Sequence, residues 1–545
     1  MALNIADLFE HAVDAVPDLP AVKVGERALT FRELDVAANR LAHFLAGRGI
    51  GPGDHVALYA KNSIEHVVAL LATLKVRAVS INVNYRYVEG ELDYLFENSD
   101  AVAVLHDRTY ASVLARCVPR HPRIHTCVAL VDPMAPDDES DLSGFGGLTY
   151  AEGIEGQPGT RDFGPRSGDD IHIIYTGGTT GFPKGVMWRH EDYWRVFGGG
   201  TDFETGTLLG EFDQSEAAAK ARRMVKFPLS PLMHGGAQTG LLRHLFVGDL
   251  TILEPKFDPA TTWDVIDRER VQFLFLTGDA MARPLIEEYQ RRTANGLGSG
   301  SSLVVVASSA AVFSPEVKNR WLENFPNTVF TDSIGATETG FQGTAAQSRE
   351  NVRQDGPRVA LGPDSVVLDD NGHLLDLTAD VGAIGQLARA GRIPLGYYND
   401  PVKTAETFKT VNGIRYVVPG DRVRIEPGAR VTLLGRGSNC VNTGGEKVYV
   451  EEVEAAIKAV AAVYDCIVVG VPDERFGNAV AAVVELRPGH QLTLDELRAS
   501  LRTSLAGYKL PRVMTTVPKV PRNDAGKAQY PRARELASSA DARWL

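Results

Sequence analysis

The chain has 545 residues, too many for one compact core, so a large domain built of subdomains and at least one smaller domain are expected. Apolar residues make up 44% and charged residues 23%, which excludes a disordered or fibrous protein. The formal net charge of -12 argues against a general electrostatic grip on nucleic acid or an anionic membrane, while leaving room for a local basic pocket for phosphates.

The opening segment, MALNIADLFEHAVDAVPD, carries acidic residues early and lacks a basic flank and a long apolar run, so it is not read as a signal peptide. No run of about 18 apolar residues occurs, so no transmembrane helix is expected and the default location is cytoplasmic. Residues 31–49 place Leu34, Ala38, Leu41, Ala42 and Leu45 on one helical face, with Gly47 and Gly49 able to end the helix. The strand-like HVALYA follows; then helix-like IEHVVALLATLKV leads into AVSINVN, and ELDYLFENSD into AVAVLH. This alternation predicts an α/β fold with mostly parallel sheet.

Further on, TILEP, VQFLFLTG, SSLVVVAS and TVFTDS continue the strands, separated by helical WDVIDRER and SPEVKNRWLENF. GLGSGSS at 296–302 reads as a flexible surface loop. After about residue 380 short strands and turns predict a β-rich subdomain. The last hundred or so residues form another small α/β unit: VEEVEAAIKAV and LTLDELRASLRTSL are helical, CIVVGVP and AVAAVVEL are strands. A boundary near 436–440 follows. The four cysteines, Cys117, Cys127, Cys440 and Cys466, form no CxxC pair and accompany no histidine cluster, so buried structural thiols are expected rather than a metal site or a disulfide framework.

The most informative segment is IIYTGGTTGFPKGVMW. A strand-like run feeds into Thr176, Gly177, Gly178, Thr179, Thr180, Gly181 and Lys184, where glycine N–H groups, threonine hydroxyls and a lysine charge suit a polyphosphate. The segment fits neither G-x-x-x-x-G-K-[ST], because Pro183 precedes Lys184 and Gly185 follows it, nor G-x-G-x-x-G. A P-loop ATPase and a dinucleotide enzyme are disfavoured.

With YTGGTTGFPKG stand SIGATETG, GDRVRIE, GRGSNCVNTGGEKVYVEEVE and PRNDAGK, in an order and spacing that span nearly the whole chain. In these motifs the chain resembles the adenylate-forming superfamily of acyl-CoA synthetases, luciferases and peptide-synthetase adenylation domains. The resemblance implies an ATP-dependent acid–CoA ligase that forms an acyl-adenylate and then a thioester. It implies a large adenylation domain over 1–435, a hinge at 436–440 and a mobile C-terminal α/β domain over 441–545.

Carried over by motif position, Lys527, Thr180 and Glu338 are the implied catalytic residues. ATP would be held by Thr176, Gly177, Gly178, Thr179, Thr180, Gly181, Lys184, Ser309, Asp332, Thr337, Asp421, Arg436 and Lys527, with Asp332 near the adenine and Asp421 accepting from the ribose hydroxyls. Thr176 and Glu338 would serve Mg²⁺. His234 in PLSPLMHGGAQ and Gly335 would line the acid pocket. Gly444, Gly445 and Glu446 would form the CoA-side loop, whose glycines permit close passage of the pantetheine arm. Lys527 would supply charge where the carboxylate and the α-phosphate meet. ATP and CoA are then co-substrates and Mg²⁺ the cofactor; no nucleic-acid partner is implied, and a homodimer is left open.

The chain departs from the family pattern in places. Ile334 replaces the usual tyrosine before the Thr-Glu pair, Asn439 and Asn442 replace charged residues at and after the hinge, and Ser309 and Val312 replace the glycine and proline before the adenine site. These departures bear on adenine contacts and hinge energetics. NVNYRYVEGELDYLFENSD, GVMWRHEDYWRVFGGGTDF, TGDAMARPL and TDSIGATETGF resemble bacterial steroid side-chain CoA ligases of this superfamily, which implies a bulky apolar acid of the cholestenoate type. The alternative is a medium- or long-chain fatty acid. Gly198, Gly199 and Gly200 read equally as room for a wide ligand and as a flexible loop. A luciferase-like oxygenase is a weaker reading, and a non-catalytic nucleotide-binding protein is opposed by intact Lys527, Glu338 and Thr180.

Overall fold

The apolar runs become strands buried on both faces, as parallel strands covered by helices must be. His55–Tyr59, Val79–Asn82 and Thr126–Leu130 are buried at every position. The computed structural model describes residues 3–176, 183–203, 205–297, 299–309, 313–347, 358–436, 440–443, 446–473, 477–502, 505, 507–523, 526–539 and 543–544.

Two sheets carry the large domain. In the first, the strands Ile171–Thr176, Val79–Asn82, His55–Tyr59, Ala101–Asp107, Thr126–Leu130 and Leu148–Thr149 run parallel in that order. Lys184–Arg189 and then Gly396–Tyr397 extend it antiparallel beyond Ile171–Thr176. The second sheet has a parallel core of Pro20–Val24, Leu250–Leu253, Val225–Pro228, Phe273–Leu276, Val305–Ser308 and Val329–Ala336. From Val329–Ala336 onward the pairing turns antiparallel, through Gly340–Gln347 and Arg358–Leu361 to Arg430–Arg436, Asp421–Glu426 and Ile384–Arg389. The β-rich part therefore starts at Gly340, earlier than the expected 380.

The helix Phe31–Gly47 buries Leu34, Ala38, Leu41, Ala42 and Leu45, the face read from the sequence, and opens on a capping box between Thr30 and Glu33. Ile64–Lys75 is buried at every position, as befits a helix enclosed by protein on all sides. Among the described residues no helix is long and apolar enough to cross a membrane. Cys117, Cys127 and Cys466 are free and buried; the side chain of Cys440 lies outside the described residues.

The C-terminal unit is a separate sheet. Val463–Asp473 pairs antiparallel with Gly477–Leu486, which pairs parallel with Val513–Val517. The helices Val450–Lys458, Leu494–Leu501 and Tyr530–Ala537 accompany it. Before it, Cys440–Thr443 and Glu446–Tyr449 pair antiparallel with Thr443 opposite Glu446.

In two glycine-rich stretches the backbone lies close against side chains. Gly300 has φ +53 and receives the Asp267 carboxylate on its N–H at 2.8 Å, and a Cβ there would come within 2.7 Å of Trp263. Cβ atoms at Gly198 and Gly200 would come within 2.6 and 2.5 Å of Trp194, so these two glycines let the backbone lie on the indole. Gly199 borders a cavity instead.

Candidate active site

In an open parallel sheet, ligands bind beyond the carboxyl ends of the strands. Here register aligns those ends: Leu276 stands beside Ser308, and Ser308 beside Asp332. Ser308 and Asp332, together with Thr176 and Pro228, border a cavity of about 2050 Å³. Asn82 joins the first sheet to the loop that follows the Val225–Pro228 strand of the second. Its amide donates to the carbonyls of Tyr175 at 2.9 Å and Met233 at 2.6 Å, while its oxygen accepts from Tyr175 N–H at 2.7 Å.

Of the residues expected to hold the nucleotide, Thr176, Ser309, Asp332, Thr337, Glu338, Asp421 and Lys527 all border this one cavity. Asp332 accepts from Lys318 Nζ at 2.5 Å; burial raises its pKa, with Lys318 acting in the opposite direction. Ser309 Oγ donates to Ser333 O at 3.3 Å. The Thr337 carbonyl accepts from the Trp188 indole at 2.9 Å, fixing the turn that presents Glu338. Glu338 is 8% exposed, and its Oε1 accepts from the Tyr397 hydroxyl at 2.9 Å. Asp421 opens the Asp421–Glu426 strand directly opposite Arg436.

Lys184 stands apart from the cavity lining. Its Nζ lies 3.6 Å from Asp400 Oδ2 and over the Tyr397 ring at 5.9 Å, which leaves it one residue removed from Glu338. Gly177, Gly178, Thr179, Thr180 and Gly181 lie outside the described residues, as do Val312, Asn439, Gly444 and Gly445; Arg436, Asn442 and Glu446 are described in backbone only. Ile334, where the family has tyrosine, is 9% exposed and packs with Val359, Val367 and Val423 while also bordering the cavity.

Of the residues expected to line the acid pocket, His234 is the N-cap of the helix Gly235–Phe246. Burial first, then the charge of Lys527, pushes its imidazole pKa down to about 3, so it is neutral at ordinary pH. Gly335 lies at a bulge where a Cβ would come within 2.3 Å of Gly340 O, so only glycine fits there.

Lys527 reaches the cavity from the C-terminal unit, held by local contacts. Arg522 makes paired bonds to Asp465 at 2.5 and 2.9 Å and donates to the Gly526 carbonyl at 3.1 Å, while Asn523 Oδ1 accepts from Lys527 N–H at 2.9 Å. Burial alone would raise the Asp465 pKa, yet Lys458 and Arg522 bring it down to about 2. The unit is docked on the large domain through Lys458, whose Nζ lies 3.8 Å from Asp279 and 3.3 Å from Asp465. Arg487 adds pairs to Glu287 at 3.3 Å and Glu316 at 3.7 Å. Gly526 also comes close to the large domain: a Cβ there would lie 2.5 Å from Ala280 Cβ.

Tyr397, Lys318, Asn82 and Lys458 escaped the sequence reading. Each lies far along the chain from the group it serves, or inside a segment read only as strand or helix.

Comparison with known proteins agrees with this architecture. A family model described as AMP-binding enzyme matches residues 9–398, and one described as AMP-binding enzyme C-terminal domain matches 452–527. The chain belongs to the AMP-binding enzyme family, the adenylate-forming superfamily its motifs resemble. It is 48% identical over 539 residues, 98% of this chain and 96% of the relative, to a 3-oxocholest-4-en-26-oate–CoA ligase of Rhodococcus rhodochrous. It is 49% identical, over 98% and 97% of the two chains, to a medium/long-chain-fatty-acid–CoA/3-oxocholest-4-en-26-oate–CoA ligase of Mycolicibacterium smegmatis. Among solved structures, the fold matches an anthranilate CoA ligase in complex with anthranoyl-AMP at a TM-score of 0.84 and 21% identity, covering 98% of both chains. ATP-bound MatB from Rhodopseudomonas palustris matches at a TM-score of 0.80 and 25% identity, covering 97% and 98%.

Proposed function

We propose that the protein is an AMP-forming acid–CoA ligase acting on a steroid side-chain carboxylic acid. In the first half-reaction a carboxylate oxygen attacks the α-phosphorus of ATP and pyrophosphate leaves. In the second, the CoA thiolate attacks the acyl carbonyl and AMP leaves. The observation that carries the reading is the meeting of Lys527, from the small domain, with His234, Thr337 and Glu338 on one cavity.

Lys527 would relieve repulsion between the carboxylate and the α-phosphate, and a neutral His234 adds no competing positive charge beside it. Asp421 and Asp332 would hold the ribose and adenine ends, and Thr176 with the loop after it the phosphates. Glu338 and Thr176 also suit Mg²⁺. Glu338 Oε1 is taken by Tyr397, Oε2 has no hydrogen-bond partner among the described residues, and a hard cation takes such an oxygen. Bound there, the ion would neutralise phosphate charge. Gly444, Gly445 and Glu446 are assigned to the CoA side, with residues 436–440 as the hinge, by motif position. A cytoplasmic location follows from the need for ATP and CoA.

The steroid substrate is supported by whole-chain identity to relatives named for 3-oxocholest-4-en-26-oate. Medium- or long-chain fatty acids are the second reading, favoured by the double name of the Mycolicibacterium relative. ATP–pyrophosphate exchange over a panel of acids decides between them. Steroid acids are expected to be turned over at least as well as straight-chain acids, and uniformly better turnover of the straight chains would refute the assignment.

A further inference from the structure

The helix Gly235–Phe246 leads away from the reacting end of the cavity. Its N-cap, His234, feels the charge of Lys527; Arg243 lies eight residues beyond Gly235, about 12 Å at the α-helical rise. Gly236, Gly240 and Arg243 border the cavity at a four-then-three spacing, which puts them on one face of the helix. A Cβ at Gly236 would meet nothing within 4 Å, and one at Gly240 only the His244 ring at 3.9 Å. Apart from the small side chains of Ala237 and Thr239, which also border the cavity, this wall is backbone until it reaches a guanidinium.

That guanidinium is not consumed by the fold. Arg243 is open only toward the cavity it borders, while Leu241, Leu242, His244 and Leu245 around it are buried. No hydrogen bond or ion pair joins it to any described residue. Asp249, the acid that acts on it electrostatically, is occupied by Lys226 Nζ at 2.6 Å and by Met224 N–H at 2.7 Å. Gln214 is likewise committed, to Gly198 O at 2.8 Å and to the Trp194 indole at 2.7 Å. Gly199 brings backbone against the arginine, since a Cβ there would lie 3.3 Å from Arg243 Nε. The cavity that Arg243 borders is lined by Phe203, Phe273 and Phe275 as well as by the cationic Lys226. Desolvation lowers the arginine's pKa, consistent with a cation that lacks a protein partner.

We propose that Arg243 determines specificity at the far end of the acid, donating a hydrogen bond to a carbonyl oxygen, such as a ring ketone, that the substrate carries remote from its carboxylate. The proposal rests on the steroid-acid reading above. A site built to donate a hydrogen bond rejects a ligand without the acceptor, because the donor is then left desolvated and unpaired. A wholly apolar acid would leave Arg243 in that condition; a keto acid would not.

The test uses the full-length enzyme and acid pairs that differ only in the ketone: a 3-oxo steroid acid and its 3-deoxy counterpart. In the wild type, kcat/KM should favour the keto acid. Arg243→Met should lower kcat/KM for the keto acid about 10- to 100-fold, mainly through KM, and leave the deoxy acid within about twofold. Arg243→Lys should restore part of the preference. Equal losses on both acids, no loss on either, or a stronger wild-type preference for a carboxylate in place of the ketone would each overturn the proposal. If the wild type uses no steroid acid, the substrate reading falls separately. Arg243 is then judged on a long-chain acid with a ketone near its methyl end against the parent acid, by the same ratios.

Discussion

The Tyr397 hydroxyl donates to Glu338 Oε1 at 2.9 Å, a bond that joins the edge of one large-domain sheet to a turn of the other. Tyr397 is 6% exposed and Glu338 8%, so little water can replace the bond. Tyr397→Phe should lower the adenylation rate about 10-fold and raise the Mg²⁺ concentration needed for half-maximal rate, since a hydrogen bond to a charged group contributes about 1.5–3 kcal/mol. Pyrophosphate exchange titrated with Mg²⁺ measures both. An unchanged Mg²⁺ dependence would detach Tyr397 from the metal site.

Lys527→Ala should cut adenylate formation by at least about 100-fold, the range seen when an electrostatic stabiliser of developing charge is removed. CoA transfer from supplied acyl-adenylate should continue at close to the wild-type rate. Parallel losses in the two half-reactions would refute the division of labour assigned to the small domain.

Lys458 should matter to docking rather than to chemistry. It is 4% exposed and bridges Asp279 on the large domain and Asp465 on the small one. Lys458→Met leaves Asp279 with one fewer cation and should slow adenylation about 10-fold, with thioester formation from acyl-adenylate within about twofold. Lys458→Arg should recover most of the loss. Equal slowing of both half-reactions would mean a general loss of structure instead.

Acid should destabilise the fold through buried histidines. Burial lowers His66 and His106 to about 4 and His172 and His190 to about 3, below the ordinary value of 6.5. Between those values and 6.5 the unfolded chain binds protons that the folded chain does not, so stability falls as pH falls through that window. Each group costs about 1.4 kcal/mol per pH unit there. The melting temperature should drop from pH 7 to pH 5, and His172→Gln should flatten the drop. A melting temperature independent of pH over this range would show that these imidazoles are not held neutral.

Strands such as His55–Tyr59 were legible because burial on both faces demands an unbroken apolar run, and Phe31–Gly47 because one buried face demands a helical period. Asp332, Thr337, Glu338, Asp421 and Lys527 each lie inside a local motif of the sequence, and the structure brings them to one cavity. Tyr397 was not, because its role comes from strand pairing that brings Gly396–Tyr397 beside Lys184–Arg189, more than two hundred residues earlier. Arg243 was hidden for another reason. On a helix with buried leucines on either side it reads as an ordinary solvated arginine, and only the shape of the cavity shows what it faces. The early start of the β-rich region was missed because Gly340–Gln347, GFQGTAAQ, is glycine- and alanine-rich, and pairing on both sides substitutes for apolar side chains.

The contact between Gly526 and Ala280 has a consequence for how the enzyme could be divided or tuned. With a Cβ at 526 only 2.5 Å from the alanine methyl, the clearance between the two units is less than one methyl group. A bulkier residue on either side acts as a wedge beside the lysine, holding the small unit off the large domain. Residue 280 is thus a natural position for building an enzyme arrested short of the first half-reaction but still able to complete the second.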